Sequence, residues 1–305
     1  MGRAVIVIIG PTCSGKSYLA FKLAKLLNTE IISADSRQFF KQLNIGTAKP
    51  TPEELNEVKH YFINTLEIDE MYNASKFAHG AEKIVELILS KNKTPVVAGG
   101  SGLYIKALID GIADSAEKDE KLRVELLKKR DKFGNEFLYE ELKKVDPVSA
   151  EKMLPQNWKR VMRALEVYHL TGMPIWKHHS LQSKKSKYEY IQIGLRWERN
   201  ILYKNIEDRV DKMIYDGLVD EVKQLYESGF DEKLNSLNTV GYKEIFAYLK
   251  GEYDLNRAIE LIKRNTRRYA KRQITWFKAD DRITWQDINS YSDLDLLAKK
   301  LAGQF

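Results

Sequence analysis

The residues best suited to chemistry stand near the start of the chain: Gly10, Pro11, Thr12, Cys13, Ser14, Gly15, Lys16 and Ser17. They fit the pattern G-x-x-x-x-G-K-[ST]. Such a turn aims successive backbone N–H groups at one point, and a helix starting there adds the positive end of its dipole. Lys16 contributes a mobile charge, and the Ser17 hydroxyl is an oxygen ligand suited to Mg²⁺. The chemistry implied is the cradling of two linked phosphates. Cys13 reads as a small residue filling a turn position rather than as a reactive thiol at a helix start. A second candidate is Asp35, which ends the short apolar run 30–36. A lone acid there reads first as an N-cap. In open α/β sheets, however, ligands sit outside the carboxyl ends of strands, where the phosphate turn also lies. A third is Ser101, inside Gly99-Gly100-Ser101-Gly102, where a strand entering a glycine turn brings more N–H groups and a hydroxyl to that edge.

These groups need elements to hold them. Residues 3–9 are nearly all apolar and mostly β-branched, and residues 18–27 carry apolar groups at helical spacing, so the turn joins a strand to a helix. Residues 30–36 and 61–66 read as further strands. Residues 73–91 follow a helical period through Phe77, Ala81, Ile84 and Ile88, with Ser75 near the start. Residues 44–51 form a polar loop without period, suited to hydrogen-bonding base edges. From residue 117 to 171 there is no strand-like run. Amphipathic helices recur instead, decorated by Arg123, Lys128, Lys129, Arg130, Lys159, Arg160 and Arg163. Residues 190–197 alternate again and rejoin the sheet. The fold class expected is α/β, with a parallel-sheet core formed by 1–116 and 190–305 and an all-helical insert at 117–189.

The last third reads as mostly helical. Residues 201–228 form one amphipathic stretch with Arg209 among Ile206, Val210, Met213 and Ile214. Residues 256–278 place Arg257, Lys263, Arg264, Arg267, Arg268, Lys271, Arg272 and Lys278 against the single acid Glu260, with Ile259, Ile262, Tyr269 and Ile274 on one face. Charge of nearly one sign repels itself and is relieved by an anionic partner, for which a polyphosphate backbone is the natural candidate. The net charge of +7 permits nucleic acid. At 43% hydrophobic and 30% charged, the 305 residues describe a globular chain rather than a disordered one. One cysteine excludes an internal disulfide and fits a reducing compartment. No apolar run approaches ~20 residues, so neither a membrane span nor a signal peptide is expected, and a cytoplasmic enzyme is.

Taken together, the motifs resemble those of the tRNA dimethylallyltransferase family, whose members prenylate N6 of adenosine 37 beside the anticodon. The resemblance spans nearly the whole chain. Its markers are the phosphate turn, Asp35-Ser36-x-Gln38, Asn44-Ile45-Gly46-Thr47-Ala48-Lys49-Pro50 and Gly99-Gly100-Ser101-Gly102-Leu103-Tyr104. They continue with Arg163-Ala164-Leu165-Glu166-Val167-Tyr168, Val240-Gly241-Tyr242-Lys243 and Ala270-Lys271-Arg272-Gln273-Ile274-Thr275-Trp276-Phe277. The family often has Met at position 37, Ala at 13 and Thr at 17 and 101; here these are Arg37, Cys13, Ser17 and Ser101. The zinc-finger tail of eukaryotic members is missing, so a bacterial form is expected.

The resemblance implies a P-loop NTPase-like core used for transfer. Dimethylallyl diphosphate would place its diphosphate on Gly10 to Ser17, with Mg²⁺ near Ser17, and adenosine would enter flipped from the opposite side. Arg209 would reach the diphosphate, Asp35 would act as general base, and Ser101 would hold the base or the diphosphate. Contacts to the anticodon stem-loop are implied for Asp35, Ser36, Arg37, Gln38, Ser101, Arg123, Gln156, Asn157, Trp158, Lys159 and Arg160. Further along they are implied for Asn238, Gly241, Tyr242, Lys243, Lys271, Arg272, Gln273 and Lys278. A monomer is expected. Three rivals differ in what they predict. A small-molecule kinase would consume ATP, an isopentenyltransferase of free adenine nucleotides would not need the insert, and an RNA-binding protein with a vestigial loop would not need Lys16, Ser17, Asp35 and Ser101 together.

Overall fold

The computed structural model describes residues 4–112, 119–181 and 186–305. It has two compact units, Met1–Ile109 with Lys187–Phe305, and Asp110–Ser186. The expected boundary at 116/117 lies outside the described residues. The units divide after Ile109, and again after Ser186 rather than after residue 189.

In the first unit, Ala4–Ile9 (β1), Ile31–Ser33 (β2), His60–Tyr61 (β3), Val96–Gly99 (β4), Glu189–Trp197 (β5) and Thr284–Ile288 (β6) form one sheet. Their order is β3-β2-β4-β1-β5-β6, and every pairing is parallel. β1 lies between β4 and β5, covered on both faces, which is why residues 4–9 read as a continuous apolar run. Ile6 and Ile8 pack with Leu19, Leu23, Ile193 and Leu195 on one face. Val5, Val7 and Ile9 pack with Phe39, Phe77, Val85 and Val97 on the other. Each such side chain contributes roughly 1.5–3 kcal/mol by leaving water, so the strand that delivers the phosphate turn is firmly seated. A third core gathers Val222, Tyr242, Ile245, Phe246 and Ile262 from the C-terminal helices, and Leu237 from the loop between two of them, against Phe40 and Leu43.

Two local expectations are corrected, the strand at 61–66 and the unbroken stretch at 201–228. The strand at 61–66 shrinks to His60–Tyr61, because Phe62 and Asn64 adopt positive φ (65 and 55°); Leu66 keeps only a bridge to Phe40. The Ala74–Ser90 helix, with Ser75 in its first turn as expected, is capped by Asn73, whose side chain accepts the Lys76 N–H. The stretch 201–228 is two helices, Arg199–Tyr215 and Leu218–Glu227. Gly217 breaks it at φ 101°, a conformation only glycine takes readily.

The second unit is helical: Glu120–Phe133, Asn135–Val145 and Trp158–Thr171 pack around Leu126, Leu138, Leu142, Val161 and Leu165. One fully buried carboxylate in this unit, Glu166, accepts from Arg123 Nε (2.6 Å) and Nη2 (3.1 Å), from Arg163 Nη1, and from the Asp119 N–H (3.1 Å). A buried charge is tolerable only when paired in this way. No helix among the described residues is long and apolar enough to cross a membrane.

Candidate active site

The phosphate turn is held from behind by residues far along the chain. Trp197 Nε1–H donates to the Ser14 carbonyl (3.0 Å), and the Thr12 N–H donates to Gln273 Oε1 (2.8 Å). Arg209 Nη1 donates to Thr12 Oγ1 (3.2 Å) and lies 3.7 Å from Cys13 Sγ. Lys16 Nζ donates to the Pro11 carbonyl at 2.6 Å. Burial pulls the Lys16 ammonium down to about 8; nearby Asp35 opposes that shift, and Arg209 adds to it. Ser14 Oγ and Asn205 Nδ2 are buried and have no hydrogen-bond partner among the described residues. Both border the same mouth, so two polar groups point to a polar ligand there.

Asp35 follows β2 in a turn rather than capping a helix. Its Oδ1 accepts the Arg37 N–H at 2.9 Å, and the Ser36 N–H donates to Ser101 Oγ at 3.0 Å. The Ser101 N–H is itself taken by the Ala34 carbonyl (3.2 Å). Ser101 therefore braces the turn that carries Asp35. Gln38 is buried, accepts from Ser33 Oγ (3.0 Å) and donates to the carbonyls of Thr47 (3.3 Å) and Ala48 (3.1 Å).

A cavity of about 80 Å³ is lined by Thr12, Lys16, Ser17, Asp35, Arg209 and Tyr269. It shares Lys16, Ser17 and Arg209 with a mouth of about 890 Å³ that adds Asn205, Asp208 and Lys212. It shares Thr12, Asp35, Arg209 and Tyr269 with a mouth of about 450 Å³ that adds Arg37, Asn238, Lys243 and Arg272. A cationic end made for phosphate and an acidic end thus meet in one small chamber, reached by two entrances. The Tyr269 phenol is pushed up to about 12 by burial, with Asp35 adding to the effect, so it stays neutral. Ser17 and Asp208 on the larger mouth are hard oxygen donors that fit Mg²⁺ sharing phosphate oxygens. Among the described residues no cluster of three or more His, Cys, Asp or Glu forms a metal cage by itself.

The site assembles Thr12, Lys16, Ser17, Asp35 and Arg209 as the sequence suggests, with Ser36, Arg37, Asn238, Gly241, Lys243 and Arg272 on the smaller mouth. Several expected RNA-binding residues point elsewhere. Gln273 is buried between Thr12 and the Gly100 carbonyl (2.9 Å), Gln38 is buried under the 47–48 carbonyls, and Tyr242 is fully buried with its hydroxyl on Glu221. Arg123 is engaged by Glu166. The polar loop 44–51 is equally occupied: its first N–H groups go to Glu221, and Thr47 Oγ1 donates to the Leu43 carbonyl. On the Leu255–Phe277 helix, Arg257, Lys263 and Arg267 pair with Glu260, Asp211 and Glu207. Among the described residues Arg264, Arg268, Lys271, Arg272 and Lys278 have no acid partner. In the insert Gln156, Asn157, Lys159 and Arg160 are exposed, and Arg130 lies over the Trp158 ring at 4.1 Å. Sequence reasoning missed Asn205, Asp208 and Glu221, and took Tyr269 as core. Only Tyr269 carried a signal, standing one helical turn before Gln273.

The model of the IPP transferase family matches residues 38–280. The chain belongs to this family. It is 45% identical over 300 residues to a tRNA dimethylallyltransferase of Acetivibrio thermocellus, covering 97% of this chain and 96% of that one. Among solved structures it is similar to the tRNA isopentenylpyrophosphate transferase of Bacillus halodurans, at 37% identity and TM-score 0.72, covering 99% and 96% of the two chains. A eukaryotic dimethylallyltransferase acting on tRNA superposes with TM-score 0.84 at 31% identity, covering 98% of this chain and 77% of that one. The parallel sheet with its phosphate turn is accordingly the family's P-loop NTPase-like core.

Proposed function

We propose that the protein transfers the dimethylallyl group of dimethylallyl diphosphate to N6 of adenosine 37 in tRNA, releasing diphosphate. The observation that carries this reading is the chamber with Lys16 and Arg209 at one end and Asp35 at the other, open to two mouths. The donor enters by the larger mouth, where Lys16, Arg209, Asn205 and the turn N–H groups bind its diphosphate. The target base enters by the smaller one. The N6 lone pair attacks the allylic C1, the C1–O bond breaks, and its electrons stay on the diphosphate oxygen. Lys16 and Arg209 stabilise the charge that develops there. Asp35 takes the N6 proton, which matters because the adenine amine is a poor nucleophile. Mg²⁺, when bound at Ser17, would supply further charge neutralisation of the leaving diphosphate. Arg268, Lys271, Arg272 and Lys278 meet the RNA backbone, and Lys159 and Arg160 of the insert offer further cationic groups to it. We place the protein in the cytoplasm, acting as a monomer.

The test is to incubate the protein with labelled dimethylallyl diphosphate and Mg²⁺, offering tRNA, AMP or ADP separately. Label on tRNA alone supports the proposal. Label on the nucleotides makes it an isopentenyltransferase of free adenine nucleotides, and no label transfer, with ATP consumed when ATP is supplied in a parallel incubation, makes it a kinase.

A further inference from the structure

We propose that Glu221 is a positioning residue for Asp35, acting through the 44–48 turn and Gln38; the inference rests on the transfer reading above. Glu221 projects from the Leu218–Glu227 helix. Its Oε2 accepts the N–H of Ile45 (2.8 Å) and Asn44 (3.0 Å), and Oε1 accepts the Tyr242 hydroxyl (2.6 Å) and the Gly46 N–H (3.3 Å). One carboxylate thus gathers three backbone donors and a phenol, in bonds strengthened by its charge. Tyr242 fixes the turn sterically as well: a Cβ on Gly46 would stand 2.4 Å from the tyrosine ring. The turn therefore has one place to sit.

Its far end points toward the chamber. The carbonyls of Thr47 and Ala48 receive Gln38 Nε2, and Gln38 Oε1 receives the Ser33 hydroxyl at the end of β2. Gln38 belongs to the turn in which the Arg37 N–H bonds Asp35 Oδ1. Hydrogen bonds and chain thus run without a gap from Glu221 to the segment that carries Asp35, and Thr47 and Ala48 share the chamber wall with Asp35. Replacing the carboxylate by an amide leaves one acceptor oxygen where there were two and removes the charge. The turn then loosens, Gln38 loses its fixed acceptors, and Asp35 departs from the geometry proton removal needs. Displacements on the order of 1 Å cost up to ~10²-fold in rate.

The experiment compares E221Q, Q38A and the double variant in single-turnover transfer to tRNA with both substrates saturating. E221Q should slow the step about tenfold while Kd for donor and for tRNA stays within about twofold, because orientation rather than binding is lost. The double variant should be no slower than the slower single one, since both act through one network, whereas independent sites would multiply. Multiplying effects, an E221Q rate above half of wild type, or a loss confined to binding overturns the proposal. Amide exchange supplies a readout besides transfer. E221Q should speed exchange at residues 44–46 and also at Ser36 and Arg37, and leave Ile8 in β1 unchanged. Acceleration at 44–46 alone, or everywhere equally, overturns it. If wild-type protein moves no label to tRNA, the transfer reading fails, and exchange still decides whether Glu221 holds the Asp35 turn.

Discussion

Gln273 and Thr12 are 261 positions apart in the chain, and the Thr12 N–H donates to the Gln273 side chain at 2.8 Å. The same amide donates to the Gly100 carbonyl. One glutamine therefore ties the phosphate turn to the glycine turn that follows β4. Its helix carries cations without acid partners among the described residues, so the helix we propose to meet RNA and the turn we propose to hold diphosphate share a rigid part.

Lys16→Ala should raise the donor concentration needed and depress turnover, while tRNA affinity stays close to wild type, because Lys16 lines the larger mouth and not the smaller. Parallel donor and tRNA titrations check this. Equal losses in both would remove Lys16 from a donor-specific role.

Donor affinity should fall as pH rises through about 8. In the free protein the Lys16 ammonium titrates at about 8, and only its charged form pairs with diphosphate. Below that pH the lysine is already charged and affinity is flat with respect to it. Above it, each pH unit should weaken binding by up to about tenfold until the higher pKa of the bound state is reached. Calorimetry in buffers of different ionisation enthalpy should show proton uptake on binding above about pH 8. A flat profile across that range would mean that Lys16 is not a diphosphate ligand.

Asp35→Asn preserves size and the acceptor for the Arg37 N–H, and removes the basic charge. Single-turnover transfer should drop ~10²–10⁴-fold, the scale of general acid–base catalysis, with both substrates still bound. A melting curve excludes unfolding as the cause. A folded variant keeping a third of the rate would show that Asp35 only shapes its turn.

Gln at both Arg268 and Lys271 should weaken tRNA binding and flatten its log–log salt dependence by about 0.7–0.9 for each phosphate no longer neutralised. Gln at Lys263 and Arg267 should do much less, because Asp211 and Glu207 already neutralise them. If the two pairs behave alike, the helix meets RNA with a different face.

The elements that deliver the chemistry were legible because their signals are local. Ala4–Ile9 is apolar throughout since both faces are covered, and G-x-x-x-x-G-K-[ST] is contiguous. Asp35 could be placed by topology. What stayed hidden depends on partners remote in sequence. Nothing near Arg123 announces that Glu166 will bury against it, and nothing near Tyr242 announces Glu221. The cations of the Leu255–Phe277 helix looked unrelieved because two of the acids that pair with them belong to the helix Arg199–Tyr215, remote in the chain. The loop at 44–51 looked ready to read bases, yet its donors are consumed by its own supports.

β1 has consequences for the protein's synthesis. It pairs with β4 on one side and with β5 on the other, and β5 begins only at Glu189, after the whole helical insert has been made. A ribosome still translating the insert therefore holds a chain whose central strand presents an unpaired backbone edge. Such edges are templates for pairing with other chains. A pause placed within residues 119–181, before β5 exists, should favour aggregation of the nascent chain relative to uninterrupted synthesis.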